Sequence, residues 1–390
     1  MKTILVFSSQ LFLAIFLALT PAAMASDTWY VNGVHGSNEN DCKSPEEACK
    51  TIGHAISLAH SGDSIIVAAA TYQENLTIGI SLAITGAGAS TTIVDGGGVN
   101  TVVTIPKTNT VVTLSNLTIR HGLAPAPPGC GGGIYNIGTL TINESTISRN
   151  RVNGNVEVLG LGGGICNGGR LGINTTTISG NTASKALGAG IRNFGGTLTI
   201  NKSTISENTA FRAGGIRIDG GTVVINNSTI SGNGDNQHGL CSGIDGGVAA
   251  IAINNTTISR NIGPNGGAGF CANTTMTIQN SIVANNSGGN CASGVTSHGY
   301  NLSSDGTCDF NGPGDLNNVD PKLGPLQNSG GPTKTIAELE GSLTIDAGNP
   351  SGCRDSQGHL LKTDQRGYPR PGKYKHDHRC DMGAYESQTD

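Results

Sequence analysis

Four residues in three matching segments carry groups capable of acid–base work: Arg192 in GAGIRNFGG, Arg217 and Asp219 in AGGIRIDGG, and Asp245 in CSGIDGG. Arginine beside paired carboxylates has two chemical uses. The carboxylates can hold Ca²⁺ while the basic group removes a proton, or two carboxylates can serve as acid and base in glycosidic cleavage. The alternative is a solvated cross-strand pair of Arg217 with Asp245, contributing roughly 0.2–1 kcal/mol. With only two aspartates in the area, the sequence favours the pair, and the elements that place these residues decide the matter.

Those elements repeat. LTINESTISRN from Leu140 returns as LGINTTTISGN from Leu171, LTINKSTISEN from Leu198, VVINNSTISGN from Val223, IAINNTTISRN from Ile251 and MTIQNSIVANN from Met276, at steps of 31, 27, 25, 28 and 25 residues. Ahead of each runs a glycine phrase ending at Ile134, Ile165, Ile191, Ile216, Ile244 or Phe270. Alternating β-branched residues broken by glycine cannot be a helical repeat. Three short strands per repeat fit one coil of a parallel β-helix, with roughly nine or ten coils between Ser64 and Asp320.

Stacked coils place equivalent residues in columns. Ile142, Ile173, Ile200, Ile225, Ile253 and Ile278 form one inward column, and Ile147, Ile178, Ile205, Ile230, Ile258 and Val283 another. Two amide columns mark the turns: Asn143, Asn174, Asn201, Asn226, Asn254 and Gln279, then Asn150, Asn181, Asn208, Asn233, Asn261 and Asn286. A carboxamide both donates and accepts, so each column can bond to itself as a ladder. Asn201 should resist replacement by Leu, whereas outward Lys202 should tolerate Ala. Five of the twelve N-x-S/T sequons fall on the first ladder, so they read as by-products of the repeat rather than glycan acceptors.

Whole-chain properties narrow the class. Sixty glycines sit at fixed repeat positions, which argues against disorder, and the net charge of −4 gives no basic footprint for nucleic acid. Lys2, the apolar run from Ile4 to Leu19 and Ala23-Met24-Ala25 predict a cleavable export signal over residues 1–25, leaving no membrane anchor in the mature chain. Ten cysteines in an exported chain predict disulfides. Cys42/Cys49, Cys291/Cys308 and Cys353/Cys380 are the close pairs; the partners of Cys130, Cys166, Cys241 and Cys271 stay open. No tight metal-ligand cluster occurs, and neither a cofactor nor a metal is expected.

A solenoid needs covers at both ends. Residues 26–63 form the N-terminal cap, with Ile52, Ala55, Ile56 and Ala59 at helical spacing. The repeats occupy 64–319. Over 320–390 the character changes, and Leu323, Leu326, Ile336, Leu339, Leu343 and Ile345 supply apolar cover for a lid. There Asp364, Arg366 and Arg370 could clamp to Asp381 or Glu386.

Cys49 before KTI, then GDSIIV and TYQENL, resembles the first coil of right-handed β-helix proteins of the pectate-lyase type, and the likeness extends over roughly residues 28–290. It implies an all-β, single-stranded right-handed parallel β-helix with a capping helix at its N-terminus and an irregular C-terminal cap. DPKLGPLQNSGGPTKTIAELEGSLTIDAGNP, TDQRGYPRP and CDMGAYE, in that order, resemble the closing module of exported choice-of-anchor Q proteins. That resemblance implies a secreted or surface protein with no common catalytic activity. Only SQTD follows Glu386, in place of the sorting signal such proteins often carry.

Together these features predict a non-enzymatic, monomeric β-helix, secreted or at the cell surface, that contacts extracellular polysaccharide or glycan. The rival is a lyase or glycosidase working along the coil groove through Arg192, Arg217, Asp219 and Asp245, with Ca²⁺ required only in that case. No NTD, GHG or RIK motif of polygalacturonase type is present. Tyr135, Phe194 and Phe211 are the aromatic candidates for sugar contact.

Overall fold

The computed structural model describes residues 26–125, 129–153, 162–235, 241–263, 269–272, 276–292, 294–372 and 379–388. The expected export signal lies outside them. The described residues form a parallel β-helix with one short α-helix, Ile52–Leu58.

Register follows the repeat. Leu140, Leu171, Leu198, Val223, Ile251 and Met276 pair in series, as do Ile142 to Ile278 two residues on. Ile147 to Val283 pair likewise along the next wall. These three columns are buried and belong to one apolar core running from Trp29 to Phe310. The period-two alternation fixes this: a slip by one residue would turn every isoleucine to solvent.

The coils are built on three walls, and five successive coils add a fourth. Wall I carries the glycine-phrase strands, from Val103–Ile105 to Phe270–Ala272, and wall II the L-T-I-N strands; both belong to one 17-stranded sheet. Wall III carries the T-I-S strands and their equivalents, eleven strands among the described residues, from Ala70–Gln73 to Leu316–Asn317. That exceeds nine or ten because the last two are only two residues long, too short to show a pattern. Wall IV is additional to the three strands expected: Leu123–Ala124, Arg151–Val152, Thr182–Leu187, Thr209–Arg212 and Gly234–Asp235. Its inward side chains include Ala124, Val152, Ala183 and Ala210, a small cluster of its own with little apolar signal in sequence.

Both corners of wall III turn through left-handed backbone. Asn116, Glu144, Thr175, Lys202, Asn227, Asn255 and Asn280 have φ of 46–58° at the first corner. His121, Arg149, Gly180, Glu207, Gly232, Arg260 and Asn285 have φ of 54–67° at the second. Left-handed residues other than glycine cost roughly 1–2 kcal/mol each, so the corners need local compensation.

Amide ladders lie beside them. Asn174 Nδ2 donates to Asn143 Oδ1, Asn201 to Asn174, Asn226 to Asn201 and Asn254 to Asn226, at 3.0–3.1 Å. At the other corner Asn150 donates to Asn181, and so on through Asn208, Asn233, Asn261 and Asn286, at 2.9–3.0 Å. Residues of this second ladder also bond the backbone: Asn208 Oδ1 accepts from Asn181 N, and its Nδ2 donates to Ile178 O. A third, shorter ladder from Asn136 through Asn167 to Asn193 stabilises wall I.

The helix starts at Thr51, whose side chain accepts from His54 N, while Glu74 accepts from Ile52 N and Gly53 N. Ile52 and Ala55 are core residues, and Ile56 and Ala59 pack partly against them. Five disulfides cross the described chain: Cys42–Cys49, Cys130–Cys166, Cys241–Cys271, Cys291–Cys308 and Cys353–Cys380.

The segment from residue 320 differs from a lid over the open end. Cys308 and Phe310 belong to the end of the core, and the described residues of 320–372 and 379–388 reach the flank of wall III. Thr204, Thr229 and Thr257 of that wall bond to Lys334 O, to Gln365 Oε1 and from Ala384 N, and all three are buried. Leu323 and Ile336 pack with Ile282, Leu302 and Met382, but Leu339 and Leu343 are exposed because the flank leaves their side open. Lys202 likewise corrects its reading as a free surface residue. Its Nζ donates to Thr363 Oγ1 at 2.7 Å, because the flanking segment covers its coil. Arg366 pairs with Asp364 at 2.7 Å and Arg370 with Glu386 at 3.0 Å, in a buried cluster beside Asp381.

Candidate functional site

Tyr135, Cys166, Arg192, Arg217, Asp245 and Cys271 follow one another along wall I, each paired to the next coil. Parallel pairing puts the arginines and Asp245 about 4.8 Å apart per coil. Asp219, two residues after Arg217, shares their face, so the column gathers all four sequence candidates.

The groups form a chain of alternating charge. Arg192 Nε donates to Asp219 Oδ2 and Arg217 Nε to Asp219 Oδ1, both at 2.7 Å. Arg217 Nη1 donates to Asp245 Oδ2 at 2.6 Å, and Arg212 Nε reaches the same oxygen at 2.8 Å. The sequence pattern missed Arg212. It sits on wall IV, whose existence the pattern did not show, at the end of Thr209–Arg212.

This differs from the solvated pair expected between Arg217 and Asp245. The Asp245 side chain is only 2 % exposed and that of Arg217 15 %. The reason is lateral: Arg192 and Arg212 flank the pair from the preceding coil and the adjacent wall. Burial lowers the Arg217 pKa, but Asp245 and Asp219 outweigh it and raise the guanidinium above its ordinary value. The group is held protonated.

Aromatic residues do not line up as a platform. The Phe194 ring stacks near Arg192, 5.8 Å from its guanidinium, and rests on the preceding coil at Gly168, where a Cβ would fall 2.3 Å from Phe194 Cζ. Tyr135 stands two coils earlier with Cys166 between. Phe211 lies on wall IV.

As a calcium site the cluster fits poorly. Asp219 and Asp245 each accept two arginine bonds, and a cation would have to displace guanidinium groups to reach them. A cleft of about 290 Å³ lies on wall II above Gly172, between Thr141 and Thr199.

No family model matches the chain, and no curated protein matches it. Among solved structures it is similar to pectate lyase Pel9A, with a TM-score of 0.53 and 15 % identity over 93 % of this chain and 96 % of that one. It also aligns with XylC in complex with xylose, at a TM-score of 0.41 and 9 % identity over 92 % and 98 % of the two chains. The first likeness shows the pectate-lyase-like parallel β-helix; the second is too distant to carry an argument.

Proposed function

We propose that this chain is an exported, non-enzymatic β-helix protein that contacts extracellular polysaccharide or a surface glycan. One observation carries the reading: in the Arg192–Asp219–Arg217–Asp245–Arg212 chain every carboxylate is held by two guanidinium groups. Neither aspartate is free as acid, base or cation ligand, and a protonated Arg217 cannot abstract a proton. The cluster then serves to fix wall I and to present arginine edges and Phe194 to a ligand.

Export is supported by the five disulfides, which persist in oxidising compartments. No described helix is long and apolar enough to cross a membrane. The closing phrases of choice-of-anchor Q type support a secreted or surface location on the same reading. The rival, a polysaccharide lyase or glycosidase, draws on the fold shared with a pectate lyase and on the outward stacking of Arg192 and Arg217.

A single experiment separates them. The mature chain is incubated with polyuronate and with neutral xylan, with and without Ca²⁺, while unsaturated product, reducing ends and retention on the immobilised polymers are followed. The reading expects retention without product. Product that disappears in Arg217→Ala, with folding intact, overturns it.

A further inference from the structure

At the second corner of wall III, well before the Arg192 cluster in the chain, Arg149 and Arg151 line a cavity of about 310 Å³ together with His121, Gly97, Gly98 and Gly122. We infer that this cavity is an oxyanion site, taking the carboxylate or sulfate group of an acidic saccharide.

Charge is the first argument. Asp95, the nearby acid, already accepts from Arg120 Nε at 2.8 Å, His121 Nδ1 at 2.9 Å and Gly97 N at 3.0 Å. Burial raises its pKa, but those bonds outweigh it and hold the carboxyl below its ordinary value, so Asp95 is ionised and committed. The side chains of Arg149 and Arg151 have no ion-pair or hydrogen-bond partner among the described residues, and both are exposed. Two guanidinium groups without a described counter-charge, on a chain of net charge −4, make a local attractor for anions.

Rigidity is the second. Between the arginines lies Asn150, fully buried, which bonds to Asn181, Gly122 N and Ile119 O. Arg149 holds a left-handed turn with φ 54°, and Arg151 begins a strand paired with Leu123. The backbone that carries these two exposed side chains is therefore held in place, so both guanidinium groups start from one edge of the cavity.

Access is the third. Gly98 lies close to Arg151, where a Cβ would come 3.4 Å from Nη2, and Gly180, the residue equivalent to Arg149 one coil on, has open space where a Cβ would be. Neither neighbour carries a side chain that could fill the cavity. Forked guanidinium groups prefer planar or tetrahedral oxyanions that can take two bonds at once. The cavity matches a single sugar ring at the small end of ligand sites.

This inference rests on the glycan-contact reading and specifies its chemistry. Titration calorimetry of the full mature chain at low salt, with a triuronate, a sulfated trisaccharide, a neutral trisaccharide of equal length and inorganic sulfate, tests it. The triuronate or the sulfated sugar should bind at least about tenfold more tightly than the neutral one, and whichever is tighter names the source of the oxyanion. Arg149→Ala and Arg151→Ala should each remove about tenfold of that preference, while Lys185→Ala on wall IV should leave it intact; thermal melts confirm that all three fold. Equal binding of acidic and neutral sugars, or unchanged affinity in the arginine variants, overturns the inference and leaves glycan contact standing. Failure of every saccharide to bind overturns both.

Discussion

Gly190 lies against the Asn208 carboxamide: a Cβ on the glycine would stand 3.1 Å from Asn208 Nδ2 and 2.5 Å from Gly215 O. Gly133 and Asn150, Gly164 and Asn181, Gly215 and Asn233, Gly243 and Asn261, and Gly269 and Asn286 repeat the contact at 2.8–3.2 Å. The glycine phrase and the T-I-S-x-N phrase are thus two halves of one packing unit, which is why they recur together.

Asn208→Leu should therefore be costly. It removes the side-chain bonds to Asn181 N, Asn181 Nδ2, Ile178 O and Asn233 Oδ1 in the interior, and leaves Asn233 Oδ1 only the backbone N–H of residue 208, at a cost of about 3 kcal/mol or more. Asn201→Leu breaks only two side-chain bonds at a half-buried corner and should cost about 1 kcal/mol. Urea denaturation of the two variants checks the difference; equal costs would refute the unequal roles of the two ladders.

Asp245→Ala should cost about 3 kcal/mol, the scale for a buried ion pair that loses one member, because Arg217 and Arg212 both end on its Oδ2. Arg212→Ala should cost under about 1 kcal/mol: its side chain is one-third exposed, and Arg217 still holds the carboxylate. A loss below 1 kcal/mol for Asp245→Ala would return the cluster to the rank of a surface pair.

Glu338 sets a pH dependence. Its carboxyl is buried and neither oxygen bonds to another residue; burial, with Asp381 nearby, pushes its pKa well above the ordinary value, against the pull of its own backbone N–H and of Arg370. Burial and Asp381 likewise push Glu386 from 4.5 up to about 7 in spite of Arg370. A carboxyl with a raised native pKa binds its proton more tightly when folded, so this contribution is fully present below about pH 4.5 and is lost as pH rises towards 7 and beyond. Glu338→Met should raise stability at pH 8 by about 1 kcal/mol or more and flatten the fall between pH 5 and 8. Melting temperatures across that range are the measurement, and an unchanged slope would show that Glu338 contributes nothing to it.

The regular part of the fold was legible because stacking turns a column into a sequence period: Ile142 and Ile173 announce each other at fixed spacing. Asn136, Asn167 and Asn193 were legible in the same way, as the last letter of I-x-N after each glycine phrase, but only three copies carry it before Ile218 breaks the run. Arg192, Arg217, Asp219 and Asp245 could be placed on one face from the same register. Their burial could not, since it depends on Arg212 arriving from a wall made of alanine-sized residues. The flank position of the described residues after 320 was equally hidden. It rests on single polar contacts such as Lys202 with Thr363 and Thr229 with Gln365, which have no period.

The two long amide ladders run in opposite senses. In the first, each Nδ2 points to the preceding coil, from Asn254 back to Asn143; in the second, each points to the following coil, from Asn150 on to Asn286. Their carboxamide dipoles oppose one another, so these two stacks do not build up an axial moment of the kind that grows along an α-helix. Adding or deleting a coil by gene duplication or loss changes both stacks by one rung and leaves the balance between these two as it was, so neither corner of wall III gains an axial dipole that the other does not offset.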